Sequence, residues 1–555
     1  MEARITRTCK LLIAGLLATA GPAHAVRTTE TSPLTSYMRA RAADAAGMPE
    51  MAAAQYGAVL ASEPQDIVLA TRAYRQAVMG GDRALASRAA RILDKASALP
   101  PDGRLLLLAE QVVARDWAAA RASVDLIERE QAFAFILPVI RAWIAQGSGV
   151  GDPFASLKAS NVLGSAYGSE HRVLLSLARG DLDGATSLVK TAAGGTGIRD
   201  LRLRILVAQA RAANGDKDGA LQLLGGDDPA LAVVRARLDQ PRRAATTQID
   251  AAFGLSELLI RIAADLNRER VTPLSPALAR IATFLAPGNA EAWLAAGQML
   301  AMSNQTASAL AVLEQVPTDD PLWPAARSTR IRILLRQEAK AEALALNQSV
   351  VESPAASVAD WTLQGDILTS MDRHEEAAAA YGRAIALVGP DKTKDERLWS
   401  LWLMQGGAYE QADRWPEAKA ALEKAYRLAP DQAVVLNYLG YSQLARRENI
   451  PAARALIEKA AALNPDDAAI TDSLGWAYFL EGDLAAAIAK LEVAAEGDPG
   501  GSEINEHLGD AYWAAGRWIE ARYAWRAALV NADATSRTRI DRKIDLGPEE
   551  ATSRP

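Results

Sequence analysis

Hydrophobic and polar positions alternate in the C-terminal third of the chain with a long period, and glycines mark it: Gly365, Gly406, Gly440, Gly475 and Gly509. The last three intervals are 34, 35 and 34 residues, and the first, 41, contains the polar insertion from Pro390 to Glu396. Each glycine carries the same apolar frame. One unit has Trp402, Gly406, Tyr409, Ala418, Leu422, Ala425 and Pro430; another has Leu474, Gly475, Tyr478, Ala487, Leu491, Ala494 and Pro499. The last has Leu508, Gly509, Tyr512, Ala521, Trp525 and Ala528. The first has Trp361, Gly365, Ala377, Tyr381 and Ala384, and the unit between has Leu439, Gly440, Ala453, Ile457, Ala460 and Pro465. Apolar residues three, four and seven apart, broken once per half-period, predict two amphipathic helices per unit.

A period near 34 with Trp-x2-Leu-Gly-x2-Tyr, then Ala-x3-Phe, then Pro is the signature of the tetratricopeptide repeat (TPR). The pattern has a physical reason. The glycine and the first alanine of each unit fall where the two helices cross, and only a missing or one-carbon side chain lets the backbones approach. The large positions fill the space between helices, each contributing roughly 1.5–3 kcal/mol when fully buried. The proline cannot continue the second helix and turns the chain into the next unit. One unit cannot bury its own apolar face, so the units must stack. The expected fold is therefore all-α: a TPR α-solenoid, a right-handed superhelix of antiparallel helix pairs.

The same grammar extends upstream. Ala52, Tyr56 and Pro64 occupy repeat positions, and residues 34–146 read as N-terminal TPR-like units. Gly81-Asp82, Arg115-Asp116, Gly180-Asp181 and Gly215-Asp216 each precede an alanine-rich helix. They predict inter-helix turns in which the first residue is left-handed and the aspartate caps the next helix. Residues 147–287 form a worn region of helical hairpins with no fixed register, where a bend or break in the superhelix is expected. Regularity returns over 288–360, with Gly297 and Leu313 in place and a degenerate unit around Ile331, Leu334 and Ala343. Five well-matched repeats fill 361–532, a polar-faced capping helix is predicted over 533–546, and a tail over 547–555.

The N-terminus reads differently. Arg4, Arg7 and Lys10 precede an apolar run from Leu11 to Ala20, and Ala23-His24-Ala25 is an A-x-A site. Residues 1–25 are thus a secretory signal peptide cleaved after Ala25, too short to span a membrane, followed by a flexible leader over 26–33. Export to the periplasm is the expectation. The single cysteine, Cys9, leaves with the signal, so the mature chain has neither a disulfide nor a lipid-attachment cysteine.

Charge and chemistry narrow the function. With 61 Lys+Arg against 67 Asp+Glu, there is no basic excess to favour nucleic acid. The mature histidines, His171, His374 and His507, are far apart, with no metal-ligand spacing, and are read as structural or surface residues. There is no Gly-rich phosphate loop and no nucleophile constellation. The chain is expected to be no enzyme and to need no cofactor or metal.

What remains is a surface. In a TPR superhelix the first helix of each unit lines the concave groove through its second, fifth, ninth, twelfth and thirteenth positions. Here these include Asn437 and Tyr441, then Asp472, Trp476 and Phe479, then Glu506, Asp510 and Trp513. An aromatic ladder edged by carboxylates and an amide predicts a groove for protein or peptide partners, since rigid amphipathic rings are favoured anchors. Those inward positions hold no Lys or Arg, so the groove is not expected to clamp a terminal carboxylate.

The runs Leu436 to Tyr441, Asp472 to Tyr478 and Ile504 to Trp513 go beyond repeat consensus. They resemble a family of exported TPR proteins of Gram-negative bacteria that includes lipoprotein adaptors of periplasmic carboxyl-terminal processing proteases. The likeness covers about 437–529, and this chain departs from it in lacking the lipid-attachment cysteine. The resemblance implies a non-enzymatic cell-envelope scaffold, an adaptor that brings such a protease and its substrates together. The alternative is a periplasmic component of an envelope assembly or polysaccharide-export machine.

Overall fold

The computed structural model describes residues 32–158, 162–192, 198–226, 229–238, 248–269, 272–354, 356–388 and 397–548. Among them every regular element is a helix, and the fold is an all-α TPR solenoid of antiparallel pairs. The predicted signal peptide, most of the leader, the 390–396 insertion and most of the tail lie outside the described residues. The chain divides into two compact units, Met1–Ala326 and Arg327–Pro555.

In the second unit, five pairs follow one another: Val358–Ser370 with His374–Val388, Arg397–Gln411 with Trp415–Leu428, Ala433–Ala445 with Ile450–Leu463, Ala468–Glu481 with Leu484–Gly497, and Ser502–Ala514 with Trp518–Ala528. A last helix, Ala534–Leu546, packs against Trp518–Ala528. Each pair touches its neighbours in order, as stacking of incomplete units requires. The repeat glycines do what their spacing implies. A Cβ on Gly406 would stand 2.7 Å from Leu422, one on Gly440 2.7 Å from Ile457, and one on Gly475 2.7 Å from Leu491. Gly365 and Gly509 press in the same way on Tyr381 and Trp525. In every unit the partner is the large residue of the second helix, and the alanines at the crossing (Ala377, Ala418, Ala453, Ala487, Ala521) are fully buried.

The turns are built locally. Gly482 is left-handed at φ 85°, and Asp483 behind it accepts from the Ala486 amide at 3.0 Å. In the first unit, Gly81, Gly180 and Gly215 are also left-handed, and Asp82, Asp181 and Asp216 each accept from an amide three residues on, at 2.8–2.9 Å. Arg115 takes the glycine's place at φ 57° and Asp116 caps in the same manner. A side-chain acceptor at this position satisfies an amide that the helix leaves unpaired.

The first unit is not a simple stack. Its helix Leu274–Leu285 is buried on nearly every side, Ser275 to Leu285 without interruption. Besides its sequence neighbours it packs on Pro101–Val113 and Ile67–Gly80, far earlier in the chain. Arg83 donates to the Phe284 carbonyl at 3.4 Å, and Arg280 to the Val78 carbonyl at 3.4 Å. The chain therefore returns upon its own early repeats within this unit. A pure solenoid touches only nearest neighbours, and the all-round burial of Leu274–Leu285 is what replaces an amphipathic stripe there.

Candidate functional site

The first helices of three successive repeats in the second unit, Arg397–Gln411, Ala433–Ala445 and Ala468–Glu481, leave an open groove of about 550 Å³. The start of Ser502–Ala514 and the turn before it close its far end. Glu410, Asn437, Tyr441 and Ser442 form one side. Asp472, Ser473, Asp498 and Glu503 form the other. The stacking of the repeats brings them together from residues about 90 positions apart in the chain.

Two of the carboxylates are compensated. Glu410 pairs with Arg446 at 2.6 Å and accepts from Ser442 at 3.0 Å. Asp472 is buried and meets the Nδ1 of His507 with both oxygens, at 3.0 and 3.1 Å. Burial alone would lower the His507 pKa; the adjoining Asp472 charge overrides it and holds the imidazole above its ordinary 6.5. The imidazole is stacked face to face on Trp476 at 4.1 Å, and Trp476 on Phe479 at 4.7 Å. The other two are not: among the described residues neither Glu503 nor Asp498 stands in an ion pair, and both are exposed. Glu503 accepts from the Tyr441 hydroxyl, and burial together with this charge raises the phenol above its usual range. The Oδ1 of Asn437 is buried with no hydrogen-bond partner.

The eight positions expected to face one groove therefore separate. Asn437, Tyr441 and Asp472 line it. Trp476 and Phe479 form the half-buried stack behind Asp472, Trp476 packed against the apolar core between the third and fourth pairs and Phe479 against that between the fourth and fifth. Glu506, Asp510 and Trp513 are covered by the terminal helix, which corrects the expectation that they stand open to a partner. Arg539 grips Glu506 with two bonds of 2.8 and 2.7 Å, and Lys543 reaches Glu506 at 2.7 Å and Asp510 at 2.6 Å. Trp525 donates to Asp510 at 3.0 Å, and Trp513 lies 5.4 Å from Trp525 with Gly547 against its ring. The cations missing from the inward positions come from outside the repeats. Burial would raise the Glu506 pKa, but Arg539 and Lys543 hold it below the usual range; for Asp510, burial outweighs Lys543 and the pKa rises.

Reading by position missed Glu503, which occupies the second place of its helix and so carried the same signal, and Glu410, at the twelfth place of an earlier unit. It also missed the role of His507. The sixth place of the repeat is not an inward one, and only Asp472 on the preceding repeat draws the ring into the site. The other histidines lie elsewhere: His171 is buried and accepts from the Trp143 indole at 2.9 Å, and His374 sits at the start of its helix. Among the described residues no group of three His, Cys, Asp or Glu is placed to hold a metal ion, and no helix is long and apolar enough to cross a membrane.

A family model described as a tetratricopeptide repeat-like domain matches residues 287–401. No curated protein matches the chain. Among solved structures, the chain is similar to the Cut9–Hcn1 hetero-tetramer of the APC/C, at 16% identity over 94% of this chain and 92% of that one, with a TM-score of 0.35. It is similar to a tetratricopeptide repeat protein from Parabacteroides merdae, at 15% identity over 46% and 98%, with a TM-score of 0.38. It is also similar to PilW, a type IV pilus biogenesis factor, at 19% identity over 35% and 88%, with a TM-score of 0.30.

Proposed function

We propose that this chain is a non-enzymatic protein–protein interaction scaffold of the bacterial cell envelope, and that it takes a partner in the groove of its C-terminal repeats. The observation that carries the reading is the groove itself: an open cleft of about 550 Å³ on stacked repeats, walled by Asn437, Tyr441 and Asp472. Exposed carboxylates and a tyrosine at the rim suit reversible recognition of another polypeptide better than turnover.

In this reading the exported chain acts as an adaptor, holding a periplasmic carboxyl-terminal processing protease near its substrates. The signal-like N-terminus and the C-terminal runs of residues 437–529 support that assignment. The test is affinity capture of the chain from Val26 onward in a periplasmic extract, with mass spectrometry of what is retained, beside the variant Asn437→Leu. Enrichment of the protease that is lost with the variant is the expected result. Retention of synthase or export-channel subunits instead would replace the adaptor reading with the export-machine one.

A further inference from the structure

The terminal helix shows what these repeats accept. Glu506 and Asp510, four residues apart at the fifth and ninth places of their helix, are met by Arg539 and Lys543, four residues apart on Ala534–Leu546. The Lys543 side chain is only 10% exposed there. One and two repeats back, the fifth places are Asp472 and Asn437, and both line the open groove. Among the described residues no basic helix lies over this stretch. Two exposed carboxylates at its rim, Glu503 and Asp498, have no ion pair among the described residues.

We propose that the groove receives a basic segment of a partner protein, one carrying lysine or arginine side chains four residues apart in a helix. One cation pairs with Glu503 and Asp498 at the rim, much as Arg539 and Lys543 meet Glu506 and Asp510 on the last repeat. The proposal deepens the scaffold reading and rests on it. Two observations support a cationic occupant. The uncompensated charge at the rim is negative, since Glu410 is neutralised by Arg446 and Asp472 by His507. The chain's own cover for the equivalent positions of the next repeat is a basic helix. Carboxylate-bearing termini are disfavoured by the same charges.

The probe is a fluorescent alanine-based helical peptide with lysines at every fourth position, titrated against the full exported chain by anisotropy, beside the same peptide with glutamates. The lysine peptide should bind saturably, and more weakly as salt screens the exposed rim charges. The glutamate peptide should not bind. The double variant Glu503→Gln, Asp498→Asn should weaken the lysine peptide roughly tenfold or more, the effect of losing charge-assisted bonds. The new amides keep an acceptor for the Tyr441 hydroxyl and for the Gly500 amide, and circular dichroism of the variant should be unchanged. Equal binding of both peptides, or undiminished binding by the variant, overturns the proposal. The scaffold reading is separable from it. If capture from extract retains a partner equally well with the double variant, the cationic reading falls and the scaffold stands. If the lysine peptide binds and responds to the variant while extract yields no partner, the groove chemistry stands and the adaptor reading falls.

Discussion

The repeat glycines carry a prediction that can be worked from distances. In Gly475→Ala the new Cβ would lie 2.7 Å from Cγ and 2.9 Å from Cδ2 of Leu491, and 3.2 Å from its backbone nitrogen. Leu491 is fully buried, so its side chain has nowhere to swing, and the helices Ala468–Glu481 and Leu484–Gly497 must separate. Overpacking of this kind costs about 1–3 kcal/mol, here toward the upper end because backbone is involved. Alanine regains about 1 kcal/mol of helix propensity over glycine. The net expectation is a loss of about 2 kcal/mol. Leu491→Ala alone removes a fully buried leucine and should cost about 2–5 kcal/mol. In its background, however, the two closest atoms are gone, and Gly475→Ala should become neutral or stabilising. The pair should therefore couple by about 2 kcal/mol, well beyond the roughly 0.3–0.5 kcal/mol scatter of independent sites. A repeat array of this length need not unfold in one step, so the readout is amide hydrogen exchange across residues 468–497 in the intact chain. Gly482→Ala is the control: it has φ 85° and nothing near its Cβ, so its cost is conformational and indifferent to Leu491. Additivity at Gly475 and Leu491, or a Gly475→Ala variant more stable than the parent, would refute the close-crossing argument.

Three further outcomes are expected. Trp513→Ala should loosen Ala534–Leu546, seen as faster proteolysis or exchange of that helix, whereas Trp476→Ala should leave it protected; equal effects would show that Trp513 does not latch the helix. Lys543→Met leaves Asp510 buried without its ion pair, and although Glu506 keeps Arg539, a loss of about 2–3 kcal/mol is expected, somewhat below the usual cost of breaking a buried pair; adding Asp510→Asn should recover part of it in denaturant melts, and no recovery would mean the charge is not the cause. The His507–Asp472 pair should be pH-dependent. Since the folded pKa of His507 is raised above about 6.5, its contribution is complete below that pH and is lost as pH rises through the folded value. The stability advantage over His507→Gln should shrink between pH 6 and pH 9; an advantage that grows with pH would contradict the assignment.

How much of this was legible in the residues differs by element. Gly365, Gly406, Gly440, Gly475 and Gly509, their large partners and the buried alanines follow from spacing, because helix pairs that cross closely need small residues at one fixed place in each period. The Gly-Asp turns follow too, since a left-handed residue and a capping carboxylate are local requirements. The candidate groove was legible only in part. Asn437, Tyr441 and Asp472 line it, as inward places should, and Glu503 carried the same unread signal. The covering of Glu506, Asp510 and Trp513 was not legible, because the place of a residue within a repeat says nothing of a helix that folds back from outside the repeats.

The sequence by itself determined that this protein is a stack of helix pairs, because each unit's period, breaks and small residues are properties of neighbouring residues and of contact with the next unit. Only the tertiary structure decided which inward positions stay open. It set Lys543 and Arg539 on two of the carboxylates and drew His507 onto Asp472. In the first unit it returned Leu274–Leu285 onto repeats some 170 positions earlier. These are pairings between distant segments, set by whichever burial and charge compensation the folded chain can reach, and no local periodicity encodes them.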